Sequence, residues 1–216
     1  MALTNWSITK EEALNFTRII IPAWFFLDIV CLIGNGTLIA VTIWSKKLRN
    51  TCNYFIAIQA FSDMICMGGT GVMSYFIFTG TFATVSQCFF LQIPFFFGLN
   101  VATMMSLVIG LDRLLSIKYM LCNSATQKVF KSLYVNVIIY MCGWVTSVTL
   151  LLIARILFDD TSLTQAVEVA IGLFAANNVV VPFFVYYTQS TLYRTEIRKM
   201  FKLSSWRKAE TTIRDL

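Results

Sequence analysis

The chain has 216 residues, 57% of them hydrophobic and only 13% charged, with a formal net charge of +6. Ordinary soluble domains carry roughly half apolar and a quarter charged residues, so so short a chain with this composition points to a lipid-embedded protein and excludes an ordinary soluble domain. There is no His, which removes histidine general bases, histidine triads and the commonest zinc and haem ligands. With no nucleophile–base pair and no metal-ligand spacing elsewhere, the chain reads as a non-enzyme for which no cofactor or metal is expected.

Residues 1–18 are polar and lack the apolar centre of a cleavable signal peptide. The first apolar run is 19–44. At about 1.5 Å per residue it reaches about 39 Å, enough to cross a hydrocarbon core of about 30 Å with some tilt. Further runs follow at 54–78, 88–117, 133–158 and 163–188. In the tail, 191–216, Tyr193, Ile197, Met200 and Phe201 recur on one helical face beside Arg194, Arg198 and Lys202. That pattern suits a short amphipathic helix on an anionic leaflet, with a frayed, solvated tail as the alternative. The expected fold is all-α: a polytopic membrane helix bundle of five spans within 19–190.

The basic residues set an expected orientation. Lys46, Lys47 and Arg49 follow the first span, Arg113, Lys118, Lys128 and Lys131 lie between the third and fourth, and seven more lie in the tail, making 14 of the 17 Lys and Arg. They sit in short segments between apolar runs, which argues for loops at a membrane rather than a nucleic-acid surface. The positive-inside rule then places the N-terminus outside and the tail in the cytoplasm. Two glycosylation acceptors, Asn5 and Asn15, fall in the expected outside segment.

Asp112-Arg113 ends the third span where it meets a basic loop. A charged pair is costly at a bilayer centre and cheap at its edge, so the doublet marks the cytoplasmic end of that helix. Asn35, Asp63 and Asn178 each lie about ten residues from the inner ends of their spans, roughly 15 Å above the inner boundary. At one depth they can satisfy one another. They read either as a polar, cation-binding cluster shared by two helix arrangements or as interhelical glue worth about 0.5–2 kcal/mol per contact. Cys88 marks the outer end of the third span and either forms a disulfide there or stays a thiol, no other Cys falling in an outside segment. Asp28 has no evident partner and Pro94 kinks the third span; each either lines a ligand cavity or serves local packing. Trp144 reads as a packing anchor.

In this order these residues resemble the rhodopsin-like seven-helix G-protein-coupled receptors, closest to the nematode serpentine chemoreceptors of the Srsx type. Gly34-Asn35 matches the first-helix motif, Ala60-Phe-Ser-Asp63 the second-helix acidic motif, and Cys88 the cysteine at the top of helix three. Leu111-Asp112-Arg113 matches the Asp-Arg-Tyr motif with Leu114 for Tyr, and Trp144 the fourth-helix tryptophan. Asn178 with Pro182-Phe-Phe-Val-Tyr186 is similar to the seventh-helix Asn-Pro-x-x-Tyr region. The resemblance implies a plasma-membrane chemosensory receptor for a small-molecule or peptide ligand, coupled to a heterotrimeric G protein through the Asp112-Arg113 end of helix three. In the family, ligand binding moves helix six outward and uncovers the helix-three arginine.

One departure is large. Only 42 residues separate Trp144 from Tyr186, room for one further span where the family has three, so helices five and six are expected to be absent. This opens other readings: a truncated, non-signalling membrane partner that hetero-oligomerises with full-length receptors, or a small channel or transporter.

Overall fold

In the computed structural model the described backbone covers residues 9–81, 84–119, 124–158 and 161–214, and side chains are described for these except 85, 113–119, 124–137, 139–141, 161 and 203–214. Six α-helices follow one another: α1 (Lys10–Trp44), α2 (Thr51–Thr79), α3 (Val85–Tyr119), α4 (Ser124–Leu157), α5 (Thr161–Gln189) and α6 (Thr191–Arg214). Four of them, α1, α2, α3 and α5, are long and apolar enough to cross a membrane; within α4 the described apolar segment is the shorter Cys142–Leu157.

The helix ends follow from capping chemistry. α1 starts nine residues before its apolar run because Thr9 and Glu12 form a capping box: the Thr9 hydroxyl accepts from the Glu12 N–H at 3.2 Å, and the Glu12 carboxylate accepts from the Thr9 N–H at 2.8 Å. α1 stops at Ser45, and the Arg49 guanidinium folds back to donate twice to the Ile43 carbonyl, at 3.1 and 2.8 Å, satisfying one orphaned acceptor of the last turn. Asn50 caps α2 by accepting from the Asn53 N–H at 2.9 Å. α2 ends at Gly80, whose φ of 63° is the left-handed conformation glycine adopts without penalty.

The five long helices close a ring in chain order. α1 packs between α2 and α5, α2 also packs on α3, and α4 packs mainly along α5, touching α3 only lightly. Association within a membrane depends on close packing rather than on expulsion of water, and glycines supply the approach. A Cβ built at Gly98 of α3 would lie 2.9 Å from the Ser62 carbonyl oxygen and 3.1 Å from the Cys66 nitrogen of α2. Across the α4–α5 seam, the Asn178 amide occupies the space where a Gly143 side chain would go. Large apolar side chains such as Ile19, Phe26, Ile33, Phe97 and Ile156 point outward, as lipid-facing residues do.

Two apolar clusters fill the ring. One comprises Cys31, Met67, Ala176, Val179 and Val180. The other comprises Leu38, Ile56, Ala60, Ile109 and Tyr186, and it includes Tyr193 and Ile197 from α6. The apolar face of the tail, expected to rest on lipid, is thus partly spent on the bundle itself; Phe201 stays exposed. α6 also runs longer than the short helix expected, to Arg214.

Glu196 helps hold α6 in place. It is 7% exposed and accepts from the Lys199 ammonium at 2.8 Å. That hydrogen bond, then the Ser45 hydroxyl and the charges of Lys199 and Lys47, holds its carboxyl below the ordinary value of 4.5 against the opposing effect of burial. A lowered folded-state pKa adds stability that is complete above the unfolded value and lost as pH falls through the folded one. Wild type should therefore unfold at a higher temperature than Glu196→Gln at neutral pH, and the two midpoints should converge as pH drops below 4.5. A gap that persists in acid would show that charge is not what Glu196 contributes.

Candidate functional site

Between the two apolar clusters runs a layer of buried polar side chains. Gln59 and Asp63 sit one helical turn apart on the inward face of α2, each about 1% exposed. Among the described residues, neither Gln59 amide atom and neither Asp63 oxygen has a hydrogen-bond partner. The buried Ser106 hydroxyl of α3 is likewise without one. Asn35 of α1 donates through Nδ2 to the Val179 carbonyl of α5 at 3.2 Å and to the Cys31 sulfur at 3.3 Å, leaving its Oδ1 unmatched. Asn178 is 6% exposed and its Nδ2 has no partner. Burying a polar group in an apolar interior costs one to several kcal/mol unless a hydrogen bond offsets it, which makes this layer the first candidate for function.

Asn35, Asp63 and Asn178 come to one layer but not into one hydrogen-bonded trio. Successive residues of a helix point about 100° apart. Val179 faces α1 and takes the Asn35 hydrogen bond, so Asn178 faces α4 and lies against Gly143. The same geometry explains the Gly34-Asn35 pair: a Cβ at Gly34 would meet Phe183 Cγ at 2.8 Å, so glycine admits α5 while its neighbour bonds the α5 backbone. Pro182 is buried in α5 and, having no N–H, cannot donate to the Asn178 carbonyl. Tyr186 is 2% exposed, its ring 5.6 Å from that of Tyr193, and the Tyr193 hydroxyl lies 3.2 Å from the Thr42 hydroxyl. Tyr186 therefore links α5 to the root of α6.

The remaining predicted positions are spread over the bundle. Asp112 is half-buried in the C-terminal part of α3; the Arg113 side chain and Asn5 lie outside the described residues. Asn15 is exposed on α1, but Thr17 of its acceptor triplet is buried and donates to the Ala13 carbonyl at 2.9 Å. Cys88 is exposed and forms no disulfide with a described residue. Trp144 is half-buried beside Gly143. Asp28, which lacked an evident partner in the sequence, has one in the structure: its Oδ2 lies 2.6 Å from the Thr70 hydroxyl. Gln59 and Ser106 were not among the expected polar residues. Gln59 was legible, standing four residues before Asp63 on the same face; Ser106 gave no signal, since a lone serine in a span is common. Among the described residues no three His, Cys, Asp or Glu gather to hold a metal.

The model of the serpentine type 7TM GPCR chemoreceptor Srsx family matches residues 28–122 and 120–201. No curated protein matches the chain. The matched segments take in the C-terminal half of α1, all of α2 to α5 and the docked start of α6, and helices long enough to span a bilayer carry most of them. The chain is an integral membrane protein and belongs to the Srsx family of serpentine chemoreceptors, within the G-protein-coupled receptors.

Proposed function

We propose that this chain is a plasma-membrane chemoreceptor that detects a ligand at the outer end of the bundle and signals to a heterotrimeric G protein at the inner end, through Asp112 and Arg113 of α3. The observation that carries the reading is where the family match breaks. The two segments meet at 120–122, ahead of α4, and the second runs on through α4 and α5. α5 bears the seventh-helix-like Pro182 and Tyr186, and we take the helix that precedes it within the same matched segment as the sixth. On this reading the helices without a counterpart are four and five, not five and six as the position of Trp144 suggests. The helix that moves during activation is then present, as α4. Its light contact with α3 and close contact with α5 suit a wall that swings about the α5 seam.

The test is nucleotide exchange on co-expressed G proteins in cell membranes, with a ligand panel. Exchange above that of membranes lacking the chain, lost in Arg113→Ala, supports the reading; exchange that survives Arg113→Ala removes Arg113 from it. The orientation has its own test. A single glycan should be lost in Asn5→Gln and unaffected in Asn15→Gln, whose acceptor triplet is helical with Thr17 buried; a glycan on neither removes support for an outside N-terminus.

A second reading has one observation in its favour. α3 and α4 expose Phe89, Met104, Val145 and Leu152, apolar surface that two further helices would cover. A chain that pairs with full-length receptors and does not itself signal would use those faces. No exchange with any ligand, together with co-purification of a full-length receptor, favours this reading.

A further inference from the structure

α5 has a helix on either flank, α1 on one and α4 on the other, so a missing helix does not account for the face it leaves open. Phe174, Asn177, Phe184 and Thr188 are exposed along that face, with Val181 half-buried among them. Steps of three and four residues make the seam along which one helix packs on another at a shallow angle. Apolar side chains at that spacing would suit lipid equally well. Asn177 would not.

Asn177 stands within two residues of the centre of the apolar segment Ser162–Gln189, where an amide facing hydrocarbon is costly. Asn35, Asp63 and Asn178 are buried inside the bundle; Asn177 has only its own helix to turn to. Its Nδ2 donates to the Leu173 carbonyl at 3.1 Å and lies 3.4 Å from the Phe174 carbonyl. Both contacts use the nitrogen, so the Oδ1 acceptor is left over. Asn100 of α3 is exposed too and bonds its own Phe96 carbonyl at 2.8 Å, but α3 is packed closely on one flank only, by α2.

The occupant that suits this face is a second copy of the chain. Two copies inserted the same way round pair about a two-fold axis along the membrane normal, so a residue near the axis meets its own counterpart at the same depth. A carboxylate or an ammonium there would repel its twin, whereas an amide carries both a donor and an acceptor and complements it. Asparagine side chains join helices across membrane interfaces in this way. We propose that α5 forms a parallel homodimer seam, with the two Asn177 amides hydrogen-bonded across the axis and Phe174, Val181 and Phe184 packed along it. The dimer requires only that the chain spans a membrane; it does not rest on G-protein coupling, and it uses a different face from the pairing with full-length receptors through α3 and α4.

The experiment reconstitutes the full chain, tagged at its tail with a donor or an acceptor fluorophore, in phosphatidylcholine vesicles and follows energy transfer as lipid dilutes the protein. Transfer should saturate with protein density and exceed that of a monomeric single-span control throughout. Asn177→Leu should move the midpoint to about fivefold to thirtyfold higher density, while Asn100→Leu should stay within about twofold of wild type. Phe174→Ala, which thins the seam without touching the amide, should weaken pairing in the same direction and stands in should Asn177→Leu fail to reconstitute. Transfer no greater than the control's, a wild-type midpoint in a folded seam variant, or a loss in Asn100→Leu instead of Asn177→Leu overturns the proposal. Transfer only to a co-reconstituted full-length receptor overturns it as well, since the occupant is then not a second copy.

Discussion

Gly98→Ala should destabilise the bundle by about 1–3 kcal/mol, the usual cost of overpacking a close interface. The added methyl would stand 2.9 Å from the Ser62 carbonyl oxygen and 3.1 Å from the Cys66 nitrogen. Both are backbone atoms of a helix, so no side-chain rotation relieves the contact and α2 and α3 must separate. That separation would also disturb Gly68 and Gly69, where Phe95 already sits at 2.8 and 3.1 Å from the positions a Cβ would take. Gly98→Leu should prevent recovery of folded protein. Gly36 and Gly71 are the controls, since an added Cβ meets nothing within 4 Å at either; their alanine variants should unfold within about 0.5 kcal/mol of wild type, as substitutions away from such features do. Thermal unfolding of the purified chain in one detergent reads all of these. A Gly98→Ala midpoint equal to that of Gly71→Ala would mean that α2 and α3 do not approach this closely.

What the sequence made legible was the position and length of the helices. Runs of apolar residues located all five long helices, and 163–188 against the observed Thr161–Gln189 shows how closely. Hydropathy marks the part of a helix suited to lipid, not the helix, so the start of α1 at Lys10 was missed although Thr9 and Glu12 spelled a capping box. Counting rise per residue placed Asn35, Asp63 and Asn178 in one layer. It could not say which way each points, and one residue's rotation sends Asn178 to Gly143 while its neighbour Val179 meets Asn35. The stripe of Tyr193 and Ile197 is apolar in the sequence, but a stripe does not name its partner, and here that partner is the core of the bundle. Least legible were the close helix approaches. A glycine in an apolar run looks the same at Gly98, pressed on α2, as at Gly71, facing open space.

Asp63→Asn should raise the stability of the chain while lowering its signalling. Asp63 is 1% exposed and neither carboxyl oxygen has a hydrogen-bond partner among the described residues, so the substitution breaks no visible bond. It keeps the side-chain shape, and it removes the group that is hardest to keep in an apolar surrounding. Burying a carboxyl costs more than burying an amide of the same shape, so the expected sign here is stabilising. Gln59→Met should act alike, since neither amide atom of Gln59 is matched and an unmatched buried polar group costs about 1–3 kcal/mol. If the polar layer lets the bundle hold two arrangements, the stabilised variants should be locked in one and show less nucleotide exchange than wild type. Unfolding midpoints and exchange rates measured on the same preparations decide it. A lower midpoint for Asp63→Asn would show that the carboxyl makes a bond the variant loses, and a higher midpoint with undiminished exchange would make the layer a packing defect rather than a switch.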